Sequence, residues 1–217
     1  MVSSSALPAG SPLELILASA SPRRRELLAQ LAIPFTVIPA NIDESALPNE
    51  VPRAYTMRVA HAKAQHVAQQ FPTAVVLGAD SVVVLDQQIL GKPKDIEEAR
   101  HMLTRLSGRE HTVLTGVAVL YTAQQFVGLD AVSTLVRFRP LSASVIEHYL
   151  TTGEPMDKAG AYAIQGYASL FIERIEGSYS NVVGLPVQMV YRLARELGVE
   201  LLGTGRGRDG AMGGRGE

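Results

Sequence analysis

One stretch near the middle of the chain constrains the fold more than any other. Residues 74–85 read Ala-Val-Val-Leu-Gly-Ala-Asp-Ser-Val-Val-Val-Leu, and a short, apolar, valine-rich run of this kind is typical of a buried strand. Asp80 interrupts the run, and because burying an unpaired carboxylate is costly, stability alone does not explain it. Gly78 allows another backbone or a ligand to come close. The stretch therefore predicts a central strand whose aspartate either belongs to an active site or caps a turn.

Segments patterned as strands and helices alternate along the rest of the chain. Further strands are predicted at residues 13–18, 35–39, 112–121, 126–138, 170–175 and 181–184, and helices at 22–31, 52–70, 95–107, 142–150 and 186–197. Because strands and helices interleave, and residues 112–121 and 126–138 can pair as a hairpin, the sequence predicts an α/β fold with a mixed sheet.

Composition excludes several classes of protein. The 217 residues, 47% of them hydrophobic, suffice for one large domain. A net charge of −1 gives no general reason to bind nucleic acid or acidic membranes, and no apolar run is long enough to span a bilayer. The chain has no cysteine, which excludes disulfides and cysteine nucleophiles and fits a reducing cytosol. We expect a flexible extension over residues 1–12 without signal-peptide pattern, a folded domain over 13–202, and a disordered Gly- and Arg-rich tail over 203–217.

A candidate anion site follows the first predicted strand. The chain reads Ser19-Ala20-Ser21-Pro22 and then three arginines at residues 23–25, with Ser21 suited to cap a helix and Pro22 to begin it. Free backbone N–H groups at a helix start, together with guanidinium groups, bind phosphate well. We therefore expect an anion site at this turn; the alternative is three solvated arginines on a surface helix.

Carboxylates form the second candidate group. Asp43 and Glu44 follow the second predicted strand, and Asp80 lies in the central one. Carboxylates that converge beside a phosphate site usually hold Mg²⁺ or activate water. Taken alone, Asp43 and Glu44 are more typical of an ordinary solvated loop than of a site.

Three lysines and one glutamine complete the candidates. Lys63, Lys92 and Lys158 lie near predicted loops or helix ends and together provide the cations that a triphosphate needs, although each alone resembles a surface residue. Gln165 lies in a polar, glycine-bounded segment, and its amide offers a donor and an acceptor that match the imide edge of uracil or thymine; the alternative is an ordinary surface loop.

Other catalytic patterns are absent from the sequence. The five histidines have no partner motif for serine hydrolysis and lack zinc-ligand spacing. The chain also contains neither a P-loop nor a dinucleotide-binding fingerprint.

Six stretches match, in order, the motifs of one known family. They are Leu-Ala-Ser-Ala-Ser-Pro-Arg-Arg at 17–24, Gly-Ala-Asp-Ser at 78–81, Leu-Gly-Lys-Pro at 90–93, Glu-Pro-Met-Asp-Lys-Ala-Gly-Ala-Tyr at 154–162, Ile-Glu-Gly-Ser-Tyr at 175–179 and Val-Gly-Leu-Pro at 183–186. Over about residues 13–200 the chain resembles the Maf proteins, which are nucleoside triphosphate pyrophosphatases. The resemblance implies a Maf/ITPase-like fold with two lobes around a deep cleft and hydrolysis between the α- and β-phosphates. It also implies a divalent metal (Mg²⁺ or Mn²⁺), a cytoplasmic location and, in many members, a homodimer.

The resemblance also implies roles for individual residues. Asp80 matches the proton acceptor, and Glu44 matches the carboxylate that holds the metal together with Asp80. Polar residues around the phosphates are implied at Ser19, Ser21, Arg24, Lys63 and Lys92.

Three further positions concern the base and are occupied here by Arg23, Ser81 and Gln165. Gln165 fits the subfamily that acts on dTTP and UTP, whereas Ser81 replaces its typical threonine, which keeps the hydroxyl and loses a methyl. We therefore expect dTTP/UTP pyrophosphatase activity. Two alternatives stay open: a pyrophosphatase for 7-methyl-GTP or other modified nucleotides, and a non-catalytic nucleotide-binding regulator of cell division.

Overall fold

The structure is a computed structural model that describes residues 14–199. Its strands are β1 (Leu15–Leu17), β2 (Thr36–Val37), β3 (Val75–Leu85), β4 (Gln88–Leu90), β5 (Glu110–Tyr121), β6 (Phe126–Phe138) and β7 (Ile172–Glu176). Its α-helices are α1 (Pro22–Ala29), α2 (Pro52–Ala68), α3 (Ile96–Leu106), α4 (Ala143–Thr151), α5 (Tyr179–Val183) and α6 (Val187–Glu196). The expectations for residues 1–12 and 203–217 lie outside the described residues. Among residues 14–199, no helix is both long and apolar enough to cross a membrane.

All seven strands form one mixed sheet, in the order β2-β1-β3-β5-β6-β7, with β4 also paired to β3. β1 runs parallel to β2 and β3, whereas the other pairs are antiparallel. β1 pairs with residues 75–77 of β3 and β4 with residues 83–85. Neither strand pairs with the residues between, 78–82, so the sheet opens beside Asp80. The predicted α/β class with a mixed sheet is confirmed.

Two hydrophobic clusters lie along the sheet on either side of this opening. One is built around β1, α1 and α6 and includes Leu17, Leu28, Leu77, Leu185 and Leu193. The other is built around α3 and α4 and includes Val83, Leu103, Phe138, Ile146 and Tyr149. Because Leu77 and Val83 lie on the same face of β3, Ser81 falls between the two clusters on that face. The expected two-lobed arrangement corresponds to these clusters.

Two glycines let α2 lie close against the opposite face of the sheet. A Cβ at Gly78 would lie 2.3 Å from the carbonyl oxygen of Ala60, and one at Gly116 would lie 2.3 Å from that of Thr56. The close backbone approach expected at Gly78 is thus present, and its partner is a helix. It brings Lys63, one turn beyond Ala60, to the side of β3 on which Asp80 lies.

One predicted element is wrong. Residues 181–184 were expected to form a strand, but the structure has the helix α5 there. Ser178 caps this helix by accepting a hydrogen bond from the N–H of Asn181. The Asn181 amide is fully buried and donates to Val113 O and Thr134 Oγ1. These polar contacts outweigh the strand propensity of the two valines that follow.

A histidine on β5 is buried without a full set of hydrogen-bond partners among the described residues. His111 on β5 is 2% exposed, and its Nε2 lies 2.8 Å from the hydroxyl of Tyr162. Its Nδ1 has no hydrogen-bond partner among the described residues. Burial lowers the pKa of His111 from 6.5 to about 4.

We expect the free energy of unfolding to fall as the pH decreases from 6.5 to about 4. In this range His111 is protonated in the unfolded chain but stays neutral in the folded protein, so acid favours unfolding. The total loss from this one group is about 3 kcal/mol. Urea unfolding across this range should show the loss in wild type, and His111→Gln should remove most of it. The exposed His66 provides the matched control His66→Gln, which should keep the wild-type dependence. An unchanged dependence in His111→Gln would contradict the assignment.

Candidate active site

A cleft of about 910 Å³ opens where β1 and β4 diverge from the middle of β3. The ten residues to which the family resemblance gave a role all line it: Ser19, Ser21, Arg23, Arg24, Glu44, Lys63, Asp80, Ser81, Lys92 and Gln165. Segments that are far apart in the sequence, from Ala18 to Gly184, therefore line one cleft.

Lys63 lies between the two carboxylates. Its Nζ is 2.8 Å from Asp80 Oδ1 and 2.8 Å from Glu44 Oε2. Lys63 and Asp80 are buried, whereas the Glu44 side chain is about half exposed. Asp43 does not line the cleft, and its Oδ1 instead accepts a hydrogen bond from the N–H of Ser45. Lys63 was expected beside the phosphates, but its ammonium contacts the acidic pair.

The loop that carries Glu44 is fastened to α2 by two side chains that the sequence analysis missed. The Tyr55 hydroxyl donates to Glu44 O at 2.9 Å, and Arg58 Nη2 donates to Ser45 O at 3.0 Å. Burial, followed by the charges of Asp80 and Glu44, raises the pKa of Tyr55 to about 12, so its hydroxyl stays a donor. No local sequence signal marks either residue, because both contacts depend on how α2 packs.

The acidic pair fits a divalent cation. No hydrogen bond from the described residues reaches Asp80 Oδ2 or Glu44 Oε1, so each carboxylate keeps a free oxygen. Residues 14–199 contain no cluster of three or more histidine, aspartate or glutamate side chains that could hold a metal alone. Mg²⁺ commonly binds through one or two carboxylates and completes its shell with water and substrate phosphates. The two carboxylates match that type of site.

Arg24 is buried and largely occupied by the protein itself. Its Nε donates to Gly184 O at 2.8 Å, and Nη1 donates to Ala79 O at 2.8 Å and Ser19 Oγ at 3.2 Å. Its Nη2 donates to Ser81 Oγ at 3.0 Å. Four of its five N–H groups are thus used, and burial lowers its pKa. The contact with Ala79 satisfies a carbonyl on the edge of β3 that neither β1 nor β4 covers. At most one N–H remains for the phosphate contact predicted from the sequence.

The Ser81 hydroxyl belongs to the same network. It accepts from Arg24 and lies 2.8 Å from Thr115 Oγ1, which in turn donates to Asn181 O at 3.2 Å. Thr115 was not identified from the sequence, since it lies within an otherwise apolar strand. The network leaves Ser81 at most one lone pair for the base that it was predicted to contact.

The remaining cations are more accessible. Arg23 is half-buried at the start of α1, and burial lowers its pKa although Asp157 opposes this shift. Arg25 is exposed and does not line the cleft, so only two of the three arginines contribute. Lys92 is exposed and makes no ion pair with any residue in 14–199, whereas Lys158 pairs with Asp157. Arg23 and Lys92 are therefore the cations best placed to receive phosphate oxygens.

Gln165 lines the cleft from a turn that follows two short 3-10 helices, Glu154–Asp157 and Ala159–Ala161. Gly160 has a φ of +68°, and a Cβ there would lie 2.7 Å from the side chain of Val83. Its N–H donates to Gly91 O at 3.0 Å, which ties this segment to the turn of Lys92. Glycine is required at 160 by both the backbone conformation and the close approach.

The sequence and the fold are similar to those of known proteins. The sequence matches the family model described as Maf-like protein over residues 14–197. A relative from Symbiobacterium thermophilum named dTTP/UTP pyrophosphatase is 49% identical, over 89% of this chain and 99% of its own. Relatives of the same name from Anaeromyxobacter dehalogenans (strain 2CP-C) and Clostridioides difficile (strain 630) are 53% and 48% identical over 86% and 85% of this chain and 95% of each relative.

A solved structure is similar in fold. It is a HAM1 protein from Coxiella burnetii, with a TM-score of 0.51 and 16% identity, covering 86% of this chain and 99% of the other. At this identity, the likeness concerns the fold alone. The family model spans nearly all the described residues, and the relatives are about half identical over most of both chains. The chain therefore belongs to the Maf family.

Proposed function

We propose that this protein is a pyrophosphatase that converts dTTP and UTP to the nucleoside monophosphate and pyrophosphate. The observation that carries the proposal is the buried Asp80, held by Lys63 beside Glu44 in a cleft with accessible cations. The names of the relatives from three bacterial genera support the substrate class.

The triphosphate is bound at the cation-bearing side of the cleft. Arg23 and Lys92 contact phosphate oxygens, and the start of α1 adds the positive end of its dipole. Ser19 and Ser21 supply hydroxyls at the same turn. Arg24 acts mainly by holding Ser19, Ser81 and the carbonyl of Ala79 in place.

Asp80 removes a proton from the attacking water. Lys63 uses one lone pair of Oδ1, so the Asp80 carboxylate keeps lone pairs for the proton as well as for the metal. The water oxygen forms a bond to the α-phosphorus while the bond from that phosphorus to the bridging oxygen breaks, and pyrophosphate leaves with the electron pair. Each turnover uses one water, and the proton taken by Asp80 is then released to solvent. Lys63 keeps Asp80 oriented and offsets its negative charge between turnovers.

Glu44 and Asp80 would hold the divalent metal, Mg²⁺ or Mn²⁺. When bound, it supplies positive charge that neutralises the phosphates and the leaving pyrophosphate. The loop contacts of Tyr55 and Arg58 fix where Glu44 presents its carboxylate.

Base selection is assigned to Gln165 with Arg23 and Ser81. An amide donates to a carbonyl and accepts from an N–H, so Gln165 pairs with the imide edge that uracil and thymine share. In the amide orientation that pairs with uracil and thymine, the amino group and the unprotonated ring nitrogen that cytosine presents on that edge are mismatched, so this orientation disfavours cytosine. The family resemblance further supports a cytoplasmic enzyme that forms a homodimer.

The test is pyrophosphate release from dTTP, UTP, CTP, GTP and 7-methyl-GTP with Mg²⁺ or Mn²⁺. We expect rapid release from dTTP and UTP, and we expect Gln165→Glu to lose the preference for them because a carboxylate cannot donate to a carbonyl. Release from 7-methyl-GTP alone would keep the reaction and contradict the base assignment. No release from any substrate would contradict the enzyme and favour a nucleotide-binding regulator.

A further inference from the structure

Glu154 makes contacts that the proposed reaction does not use, and they lead to the turn that carries Gln165. It follows Gly153, whose left-handed backbone ends α4, and it begins a short 3-10 helix. Its side chain lines the cleft, yet Oε2 accepts from the N–H of Tyr167 at 3.0 Å and Oε1 from that of Ala168 at 3.4 Å. The carboxylate thus binds the backbone immediately after the Gln165 turn.

The same carboxylate is held from the core. The hydroxyl of Tyr149 donates to Glu154 Oε1 at 2.8 Å. Tyr149 is 2% exposed and packs edge-on against Phe171, with ring centroids 5.0 Å apart. Glu154 therefore connects a buried side chain on α4 to a surface turn. Surface turns are in general more mobile than the helices and strands that they join.

Gly166 passes directly beneath this carboxylate. A Cβ at Gly166 would lie 2.0 Å from Glu154 Oε2 and 2.4 Å from its Cδ. The φ of Gly166 is −111°, which any residue can adopt. Glycine is needed here because of the carboxylate and not because of the backbone conformation. Any side chain at 166 must displace Glu154 from its hydrogen bonds.

The turn between these contacts is anchored on both sides of Gln165. The N–H of Gly166 donates to Ala163 O at 3.1 Å, and the N–H of Ser169 donates to Gly166 O at 3.0 Å. The Gln165 side chain itself is exposed and makes no hydrogen bond with the described residues. Its backbone position is set while its amide remains available to a ligand.

We propose that Glu154 is a positioning residue for base selection, which fixes the turn so that the Gln165 amide meets the imide edge of the base. This inference rests on the proposed function. An amide on a fixed backbone binds without first losing the freedom of the turn, so its hydrogen bonds contribute more to affinity. Without Glu154 the amide is still present, but it discriminates less well between uracil and cytosine.

Two single variants and their combination test this role. Glu154→Ala should raise KM for UTP and lower the UTP-to-CTP ratio of kcat/KM by about three- to tenfold, the worth of a hydrogen bond, with kcat for UTP changing less than about twofold. Gly166→Ala should have the same effect, because its methyl group displaces the carboxylate. In the double variant that methyl meets no carboxylate, so the two effects should not add.

The matched control is Glu147→Gln, which removes an exposed carboxylate on α4 that pairs with Arg100. It should keep the wild-type ratio. An unchanged UTP-to-CTP ratio in Glu154→Ala and Gly166→Ala, even with a lower melting temperature, would overturn the positioning role, as would additive effects in the double variant. If Glu154→Ala fails to fold, Gly166→Ala alone decides. A wild-type protein inactive on UTP would overturn the proposed function instead.

Discussion

Asp80→Asn is expected to reduce kcat for dTTP and UTP by about 10²–10⁴-fold, the usual contribution of a positioned general base. Asparagine has the shape of aspartate, and its amide oxygen can still accept from Lys63, which lies 2.8 Å from Asp80 Oδ1. It cannot take a proton from water at neutral pH. The loss should therefore appear in kcat more than in KM. Pyrophosphate release under saturating substrate, with circular dichroism to check folding, measures it.

The matched control for this substitution is Asp86→Asn. Asp86 lies in the turn after β3, and its exposed carboxylate pairs with Arg109 at 2.6 Å. This variant removes a charge from the surface near the same strand and should keep wild-type turnover. Should Asp80→Asn retain a rate within about threefold of wild type, well below what a general base contributes, Asp80 would not be the proton acceptor.

Sequence reasoning located this carboxylate because its environment is local. A charged residue inside a valine-rich run is unusual, and Gly78 two residues earlier signals a close approach that the structure shows to be α2. The start of α1 was predictable for the same reason, since Ser21 and Pro22 carry their helix-start preference in their own chemistry. Features of this kind are encoded within a few residues of one another.

Other features depend on contacts between distant segments and carry no local signal. The ammonium of Lys63 reaches Asp80 only because Gly78 and Gly116 allow α2 to approach the sheet. The sequence groups it with the phosphate-binding cations, because a lysine within a helix carries no local signal of whether its ammonium contacts carboxylates or phosphates. The strand predicted at 181–184 failed similarly, because the buried contacts of the Asn181 amide are made with β5 and β6.

Two roles can be assigned to Arg24. The sequence predicts a phosphate ligand, whereas the hydrogen bonds of the structure indicate a buried residue that supports the fold. The variant Arg24→Lys distinguishes these roles. The guanidinium joins four acceptors from three parts of the chain: Gly184 O, Ala79 O, Ser19 Oγ and Ser81 Oγ. Lysine keeps the charge but has a single ammonium that cannot reach this set in the geometry of a planar fork. We expect at least two buried acceptors to lose their partners.

Each acceptor left unpaired in a buried site costs about 1–3 kcal/mol, so Arg24→Lys should lower the free energy of unfolding by about 2–5 kcal/mol. Urea unfolding at neutral pH measures this loss. Arg25→Lys is the matched control, because Arg25 is exposed on the same helix and should change stability by less than about 0.5 kcal/mol. If Arg24 acted chiefly as a phosphate ligand, Arg24→Lys would raise KM and leave stability unchanged. A large loss of stability would instead show that Arg24 acts chiefly by satisfying buried acceptors, among them Ala79 O on the edge of β3 that neither β1 nor β4 covers.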